Sequence, residues 1–217
     1  MLFLAKYGRT EIAFFGALWT ALGLAALKFY PPATVVPIAG LAFTAYFFRD
    51  PRRAIPGGEH DVVSPADGRV TDITEVRLPD FGEAPMLRIG IFLSVLDVHV
   101  NRAPCAGEIR RITYTPGKFH SAFAADAGDV NEANAIRLST AVGDVLVRQV
   151  AGLIARRIVC DLTEGQKVER GQRIGMIKFG SRTEVYLPKE QVADVCVAVG
   201  QKVSGASTVV ARFKGAA

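Results

Sequence analysis

Two long uncharged stretches near the N-terminus set the first constraint on how this chain folds. Residues 12–27 read IAFFGALWTALGLAAL, and residues 33–48 form a second uncharged stretch, sixteen residues each. Residues 28–32 separate them and end in two prolines, which break a helix. The pattern predicts an N-terminal hydrophobic helical hairpin, either two short spans or a re-entrant wedge, since a perpendicular span needs about 20 apolar residues.

Basic residues flank the predicted hairpin on its two outer ends. Lys6 and Arg9 precede it and three arginines follow it within residues 49–53, whereas only Lys28 lies at the turn. The positive-inside rule then predicts that both ends lie on the cytoplasmic face of the cell membrane. The alternatives are a cleaved signal peptide, which the second apolar stretch disfavours, and a buried hairpin in a soluble core.

The composition excludes two other classes of protein. Charged residues make up 22% of the chain and hydrophobic residues 50%, and the net charge is +5. A disordered chain would be far less hydrophobic, and a polytopic membrane protein would leave little room for so many charges. The basic balance suits an anionic membrane surface as a partner, and we expect no nucleic-acid partner.

The three cysteines are Cys105, Cys160 and Cys196, which are widely spaced. An odd number without neighbouring histidines or cysteines at metal spacing predicts buried, reduced thiols in a reducing compartment. We therefore expect neither a disulfide framework nor a metal site.

The chain beyond residue 56 changes to short strands separated by glycine turns. The apolar and β-branched runs are residues 69–73, 87–95, 135–138, 144–150, 157–160, 184–187 and 208–211. Closely spaced strands of this kind predict a mainly β fold, a compact barrel or sandwich. We expect a membrane-associated hairpin of residues 1–53 and a β domain of residues 54–217.

A short internal repeat refines this fold prediction. The tetrapeptide GQKV occurs at residues 165–168 and again at residues 200–203, each time followed by another glycine and an apolar strand. Glycine accepts positive φ without steric cost, so both copies suit hairpin turns. The repeat predicts a fold that resembles the duplicated lipoyl and biotinyl hybrid-motif barrels.

The histidines limit the choices for acid–base chemistry to three positions. His60 lies in a polar loop and His120 follows a turn. His99 lies in DVHVNR, where strand alternation would place it on one face with Asp97 and Asn101. A lone histidine in such a strand is more often structural than catalytic, so His99 by itself does not establish a function.

Two turn-like motifs become informative through their order along the chain. Asp67 in SPADG and the Gly180-Ser181 pair in FGSR are each typical of a turn. Together with their neighbours, however, they make the chain resemble the phosphatidylserine decarboxylases, in the short form of that family. The matching stretches are FRDPRR (48–53), VSPADG (63–68), DVHVNRAP (97–104), PGKF (116–119), NEAN (131–134) and FGSR (179–182).

The resemblance implies a self-cleaving proenzyme. In this family the Gly-Ser bond breaks and the serine becomes a pyruvoyl group, so the cofactor would be a pyruvoyl group derived from Ser181. Gly180 would end a large β chain of residues 1–180, and residues 181–217 would form a small α chain that stays with it as a heterodimer. The mature enzyme would decarboxylate phosphatidylserine to phosphatidylethanolamine through a Schiff base on the pyruvoyl group.

The resemblance also implies roles for individual residues. His99 would be the base that activates Ser181, oriented by Asp67 in the manner of a triad. Longer members carry a second histidine where this chain has Arg102, and a threonine where it has Arg182. Either arginine would bind the lipid phosphate or the substrate carboxylate, and His120 would share the work of His99 or contact the substrate.

Three other functions remain open from the sequence. A hybrid-motif barrel on a membrane anchor could carry biotin or lipoate on Lys178, although the flanking residues are unusual for such a carrier. A pyruvoyl decarboxylase could instead act on a soluble amino acid, which would not need the hairpin. The third possibility is a structural protein of the membrane surface, whose chain would never be cut between Gly180 and Ser181. Any further oligomerisation is also left open.

Overall fold

Two apolar helices joined by a proline turn form the N-terminal unit, Met1–Arg52. In this computed structural model, which describes residues 3–79, 84–117, 131–152, 157–178 and 181–215, helix α1 is Arg9–Phe29 and helix α2 is Val35–Phe47. The short 3-10 helices Lys6–Gly8 and Pro31–Thr34 precede α1 and join α1 to α2. The predicted helical hairpin is confirmed.

The two helices of the hairpin pack closely at Gly40, and their outer surface is apolar. A Cβ atom added at Gly40 would lie 2.4 Å from the Trp19 ring, so glycine lets the indole pack directly on α2. No residue of α1 is buried. The exposed large hydrophobic side chains of the two helices include Phe14, Leu18, Leu22, Leu24, Leu27, Phe29, Val35, Val36, Ile38, Leu41, Phe43 and Tyr46.

Helix α1 is longer than the uncharged stretch that predicted it, because it also includes Arg9, Glu11 and Lys28. At about 1.5 Å per residue its length approaches the roughly 30 Å of a bilayer hydrocarbon core. The segment Lys6–Phe29 is therefore long and apolar enough to cross a membrane, whereas Pro31–Phe47 is shorter. The sixteen uncharged residues alone are slightly short of a span, and the flanking residues of the helix supply the additional length.

The second unit, Arg53–Ala217, is built of antiparallel strands. In the described residues its strands are β1 Asp61–Val63, β2 Gly68–Arg77, β3 Pro85–Leu93, β4 Val100–Arg102, β5 Gly107–Thr115, β6 Ala133–Thr140, β7 Gly143–Val150, β8 Ile158–Cys160, β9 Lys167–Val168, β10 Arg173–Ile177, β11 Ser181–Pro188, β12 Val192–Val195, β13 Lys202–Val203 and β14 Val209–Phe213. A 3-10 turn, Lys189–Gln191, follows β11.

The strands form one large sheet and two small ones. The large sheet has the order β13-β2-β3-β11-β7-β6-β5-β9, and the small sheets have the orders β1-β14-β12 and β4-β10-β8. The large sheet is curled into a half-barrel. The mainly β prediction is confirmed, whereas the resemblance to lipoyl and biotinyl barrels is not confirmed.

One face of the large sheet carries the hydrophobic core. On β3 the alternate residues Leu87, Ile89, Ile91 and Leu93 all belong to it, as strand alternation requires. The other core positions of the sheet include Val70, Ile109, Ile136, Leu138, Val145, Val147, Val185 and Leu187. Each such side chain contributes about 1.5–3 kcal/mol by leaving water, so the register of the central strands is strongly determined.

The two GQKV copies occupy equivalent places at opposite edges of the large sheet. Gly165 has φ +82° and Gly200 has φ +87°. The N–H of Gly165 donates to the carbonyl oxygen of Ile109, and the N–H of Gly200 donates to that of Val70. Ile109 and Val70 in turn donate to the glutamine that follows each glycine. The sequence repeat is therefore also a structural repeat.

The repetition extends over the whole β unit. Strands β4 to β10 form one copy, which we name the inserted repeat. Strands β1–β3 and β11–β14 form the second copy, the outer repeat, and the inserted repeat lies between its two parts in the sequence. Reading the large sheet inward from its two edges pairs β13 with β9, β2 with β5, β3 with β6 and β11 with β7. Both β2 and β5 also carry a register shift at matching places, Val70/Asp72 and Ile109/Arg111. The outer repeat contains the strand that begins at Ser181.

Candidate functional site

Ser181 is the first residue of strand β11, at the centre of the large sheet. It pairs with Leu93 on β3, and its neighbour Arg182 pairs with Val150 on β7. Alternation places Ser181 on the same face as Val185, a core residue, and Arg182 on the opposite face. The predicted nucleophile is thus at a strand end and turned inward. Gly180 lies outside the described residues.

The hydroxyl of Ser181 is buried and unsatisfied. The residue is completely inaccessible to solvent, and its Oγ has no hydrogen-bond partner among the residues that the structure describes. Such a group costs about 1–3 kcal/mol of stability, and a native protein that keeps one often uses it chemically. This feature distinguishes Ser181 from an ordinary turn serine.

His99 is also completely buried and lies just before strand β4. Its Nδ1 is 2.9 Å from the backbone carbonyl oxygen of Asp97. A carbonyl only accepts hydrogen bonds, so Nδ1 carries the proton and donates it. In the neutral ring the basic lone pair is then on Nε2. His99 is arranged to accept a proton at that nitrogen.

The turn before His99 differs from the strand predicted there. Residues 94–97 form a turn, and the strand begins only at Val100. The Asp97 carboxylate accepts hydrogen bonds from the N–H of Ser94 at 2.9 Å and from its hydroxyl at 2.7 Å. The turn thereby directs the Asp97 carbonyl towards His99. The Ser-x-x-Asp spacing is the sequence signal that could have indicated this arrangement.

Backbone pairing ties the segments that carry His99 and Ser181 to each other at two places. Leu93, at the end of β3, pairs with Ser181. The N–H of Ile177, at the end of β10, donates to the carbonyl oxygen of His99 at 3.3 Å. His99 is six positions after Leu93, and Ser181 is four positions after Ile177. The sheet therefore brings the two predicted catalytic residues into one region.

Asp67 is held by different partners from the predicted one. Its carboxylate forms an ion pair with Arg53 at 2.7 Å and accepts a hydrogen bond from the N–H of Gly205 at 2.8 Å. Within the described residues, its hydrogen bonds do not include one to His99. The triad-like contact between Asp67 and His99 stays a prediction.

The two arginines predicted to bind substrate are both buried. Arg102 donates from Nη1 to the carbonyl oxygen of Gly171 at 3.2 Å. Arg182 is fully inaccessible, and its guanidinium lies on the face of the sheet opposite to the core. A substrate contact by either residue stays a prediction, as does any role of His120, which lies outside the described residues.

Arg182 is the centre of an internal ion-pair network. Its Nη2 is 2.6 Å from Asp72, its Nε is 2.7 Å from Glu184, and its Nη1 donates to the Thr71 hydroxyl at 2.7 Å. Burial lowers the pKa of the Arg182 guanidinium, but the carboxylates of Glu184 and Asp72 outweigh it and raise the pKa. The group is fixed as a cation.

A buried chain of amides, which the sequence did not predict, continues inward from the site. Asn101 donates to the Thr183 hydroxyl at 3.0 Å, Gln149 donates to Asn101 at 2.8 Å, and Asn134 donates to Gln149 at 3.0 Å. Asn101 is two residues after His99, and Thr183 is two residues after Ser181 on β11, where strand alternation places Ser181 and Thr183 on one face. The chain connects β4 and β11 beside the two candidate residues.

The structure disfavours the carrier interpretation. Lys178 is 5% exposed, whereas a lysine that carries biotin or lipoate has to project into solvent. Among the described residues there is no group of three or more His, Cys, Asp or Glu side chains that could hold a metal ion. All three cysteines are free thiols. Cys105 is buried, as predicted, whereas Cys160 and Cys196 are half-buried.

Comparison with known proteins identifies similar sequences over most of the chain. A family model described as phosphatidylserine decarboxylase matches residues 41–211. The phosphatidylserine decarboxylase proenzyme of Carboxydothermus hydrogenoformans is 49% identical over 173 residues, which cover 80% of this chain and 81% of the relative. The proenzyme of Syntrophus aciditrophicus is 43% identical over 97% of this chain and 98% of the relative. That of Symbiobacterium thermophilum is 49% identical over 92% of each.

Proposed function

The chain belongs to the phosphatidylserine decarboxylase family, and on that premise we propose that it cuts itself between Gly180 and Ser181 and then decarboxylates phosphatidylserine to phosphatidylethanolamine. The similar relatives are named proenzymes, which agrees with self-cleavage. The chain is therefore an enzyme that matures from a precursor.

The buried, unsatisfied hydroxyl of Ser181 is the observation that carries this proposal. A pyruvoyl group formed from Ser181 fits this position, because its methyl group would replace the side-chain CH2OH and needs no hydrogen-bond partner. When present, the pyruvoyl ketone supplies an electron-withdrawing carbonyl that takes up the electrons released as CO2 leaves. Maturation thus removes the unsatisfied polar atom that the precursor buries.

Self-cleavage needs a base that takes the proton of Ser181, and the hydrogen bonding of His99 suits that role. Because Nδ1 donates to the Asp97 carbonyl, Nε2 is left to accept the hydroxyl proton of Ser181. The Ser181 Oγ then attacks the Gly180 carbonyl carbon, and the C–N bond breaks as the Ser181 nitrogen takes a proton. The amide between the two residues becomes an ester.

The ester then breaks by elimination. A base removes the α-proton of Ser181, and the Oγ–Cβ bond breaks, which releases the Gly180 carboxylate as the new C-terminus. The remaining enamine tautomerises to an imine, and water hydrolyses the imine. Ammonia leaves, and the ketone stays on the chain as the pyruvoyl group. His99 is the proposed base for this proton as well, with His120 as the alternative. Asp67 is proposed to orient His99, as the resemblance implies.

The strand register supports a stable heterodimer of the two fragments. The small fragment, residues 181–217, would contain β11 to β14. Strand β11 lies between β3 and β7 in the large sheet and is buried along its length except for half-buried Pro188. Cleavage before its first residue leaves the pairing of residues 182–188 intact, so we expect the fragments to remain one folded unit.

The hairpin is proposed to hold the enzyme on the cytoplasmic face of the cell membrane, where its substrate lies. Helix α1 is long and apolar enough to enter the bilayer. Three of the basic residues that flank the hairpin, Arg49, Arg52 and Arg53, suit an anionic lipid surface. Of the two arginines predicted to contact substrate, we favour Arg102, since the guanidinium of Arg182 is already bound to two carboxylates.

Intact mass and a denaturing gel test this proposal. The purified chain should separate into residues 1–180 and residues 181–217, with the smaller fragment lacking a free amine. The Ser181→Ala variant should stay intact and release no CO2, and a variant still cut after Gly180 would overturn the assignment. CO2 release from phosphatidylserine vesicles but not from free serine is expected. The reverse preference would favour a decarboxylase of soluble amino acids.

A further inference from the structure

The ion-pair network around Arg182 lies next to the bond that self-cleavage breaks. We use the name Arg182 clamp for Arg182 together with Thr71, Asp72 and Glu184. All three partners bind the guanidinium at 2.6–2.7 Å. The Arg182 and Glu184 side chains are both fully inaccessible to solvent. Solvent therefore cannot replace the contact between Arg182 and Glu184, whereas Asp72 is 14% exposed.

The local backbone of β2 is shaped to form the clamp. The register between β2 and β3 shifts between Val70 and Asp72, so that two consecutive residues, Thr71 and Asp72, both reach the guanidinium. The Thr71 hydroxyl also donates to Asp72 at 2.8 Å. A bulge that directs two neighbouring side chains to one cation is a specific arrangement, since regular alternation would point them to opposite faces.

Strand β3 provides the space that the clamp needs. A Cβ atom at Gly90 would lie 2.1 Å from Nη2 of Arg182 and 2.4 Å from Oδ2 of Asp72. Any larger residue would displace the ion pair. The absence of a side chain at Gly90 therefore leaves the space that the guanidinium occupies.

The inserted repeat contains a corresponding network that serves as an internal reference. Asp144 on β7 is at the place of Arg182, as the equivalent strand orders show. Its partners are Arg137, at 2.6 Å, and Arg110 on the bulge of β5, at 4.0 Å. The charges are reversed, and the side chains are 17%, 27% and 65% exposed. In the repeat that contains Ser181 the central Arg182 and its partner Glu184 are fully inaccessible to solvent, and Asp72 is 14% exposed.

The position of the clamp matters because Ser181 is the first residue of strand β11. In the precursor, Arg182 is the first residue after the serine whose side chain is anchored on the outer face. After cleavage, Ser181 becomes the N-terminal residue of a separate chain, and chain termini fray unless they are held. Arg182 would then be the second residue of that chain, tied to β2 and to Glu184 on its own strand.

We infer that Arg182 is a positioning residue: the clamp holds the start of β11 so that Ser181 stays aligned for cleavage and the group formed from it stays aligned for decarboxylation. This inference rests on the self-cleavage in the proposed function. It differs from a substrate contact, because the guanidinium acts through the backbone of β11. Misplacement of a reacting atom by about 1 Å costs about 100-fold in rate.

The test measures the rate at which the full-length chain cuts itself. Cell-free translation in the presence of phosphatidylglycerol vesicles, followed over time on denaturing gels, gives that rate for each variant. Arg182→Met should slow cleavage about 100-fold. Arg182→Lys keeps the charge but not the planar fork, so its cleavage rate should be intermediate.

The matched control is Asp144→Asn in the inserted repeat. It disrupts the corresponding ion pair and should lower the melting temperature, yet cleavage should keep the wild-type rate. Equal slowing by Asp144→Asn and Arg182→Lys would overturn the inference, since loss of general stability would then explain both. If Arg182→Met does not fold, Thr71→Ala removes the two hydrogen bonds of the Thr71 hydroxyl and keeps both ion pairs of the clamp. Wild-type cleavage in Thr71→Ala would likewise overturn the inference.

Steady-state kinetics of the cleaved fraction separate positioning from substrate binding. Arg182→Lys should lower kcat for phosphatidylserine and leave KM unchanged. Wild-type cleavage combined with a raised KM would show a substrate contact and overturn the inference. A wild-type chain that stays intact would instead refute self-cleavage itself, whereas a cut wild type with unaffected Arg182 variants refutes the clamp alone.

Discussion

Ile177 donates its backbone N–H to the carbonyl oxygen of His99 at 3.3 Å. The end of β10, just before the proposed cleavage site, is thereby joined to the residue proposed as the base. When the bond after Gly180 breaks, Gly180 becomes the C-terminus of the large fragment. We expect the contact at Ile177 to keep the end of β10 joined to His99, so that the base need not move between maturation and turnover.

Replacement of His99 should stop maturation. We expect His99→Ala to remain full length, with cleavage slowed by about 100-fold or more, because general base catalysis contributes at least that factor. Intact mass spectrometry of the purified chain measures the cleaved fraction. His60→Ala is the control, since His60 lies before β1 in a turn, and it should cleave normally. Normal cleavage of His99→Ala would assign the base to another residue.

Two variants separate the proposed orientation of His99 by Asp67 from the ion pair between Asp67 and Arg53. If Asp67 orients His99, Asp67→Asn should slow cleavage strongly, whereas Arg53→Gln, which removes the partner at 2.7 Å, should leave cleavage close to the wild-type rate. Time courses on denaturing gels compare the two variants. Equal effects would show that the Arg53 ion pair is the only function of the carboxylate.

The sequence is sufficient to predict Ser181 and His99 as candidate site residues, because each lies in a short continuous motif. The strands were also predictable, since the large sheet alternates between core and outer residues, as Ile89 and Ile91 do on β3. The prediction of a strand through Asp97 and His99 is wrong, because the hydrogen bonds from Ser94 to the Asp97 carboxylate close a turn. Side-chain capping of this kind overrides an alternating pattern.

The Arg182 clamp was not predictable from the sequence. Thr71 and Arg182 are 111 positions apart, and a register shift in β2 decides that both Thr71 and Asp72 reach the guanidinium. A lone arginine after the cleavage motif therefore suggested a substrate contact. The GQKV repeat indicated a duplication, but its four residues do not reveal that one repeat is inserted into the other.

The buried amide chain should contribute to both stability and activity. Thr183→Val removes the hydroxyl that accepts a hydrogen bond from Asn101 at 3.0 Å. The buried Asn101 amide is then unsatisfied, so we expect the free energy of unfolding to fall by about 1–3 kcal/mol. Urea denaturation of the cleaved enzyme measures the loss. Thr113→Val is the control, because Thr113 is at the exposed end of β5, and it should be neutral.

The thiols should differ in reactivity with pH. Burial raises the pKa of Cys105 to about 12, although the Arg170 charge opposes the shift. The reactive thiolate is therefore scarce at neutral pH and becomes abundant only as the pH rises through that value. At about pH 8, near the ordinary thiol pKa, iodoacetamide should modify Cys160 and Cys196 before Cys105, as read by peptide mass spectrometry. Concentrated guanidinium chloride should abolish the difference, and fast labelling of native Cys105 would contradict its burial.

The hairpin should be required for binding to lipid, and two exposed leucines of α1 provide the test. Leu24 and Leu27 are 64% and 60% exposed, and a charged residue in the bilayer core costs about 3 kcal/mol. The double variant Leu24→Glu, Leu27→Glu should therefore lose co-sedimentation with phosphatidylglycerol vesicles while still cutting itself. Val199→Glu is the matched control, because Val199 is 61% exposed but lies in the β unit, and it should still sediment. Binding by the double variant, or its loss in Val199→Glu, would place the lipid contact elsewhere than on the hairpin.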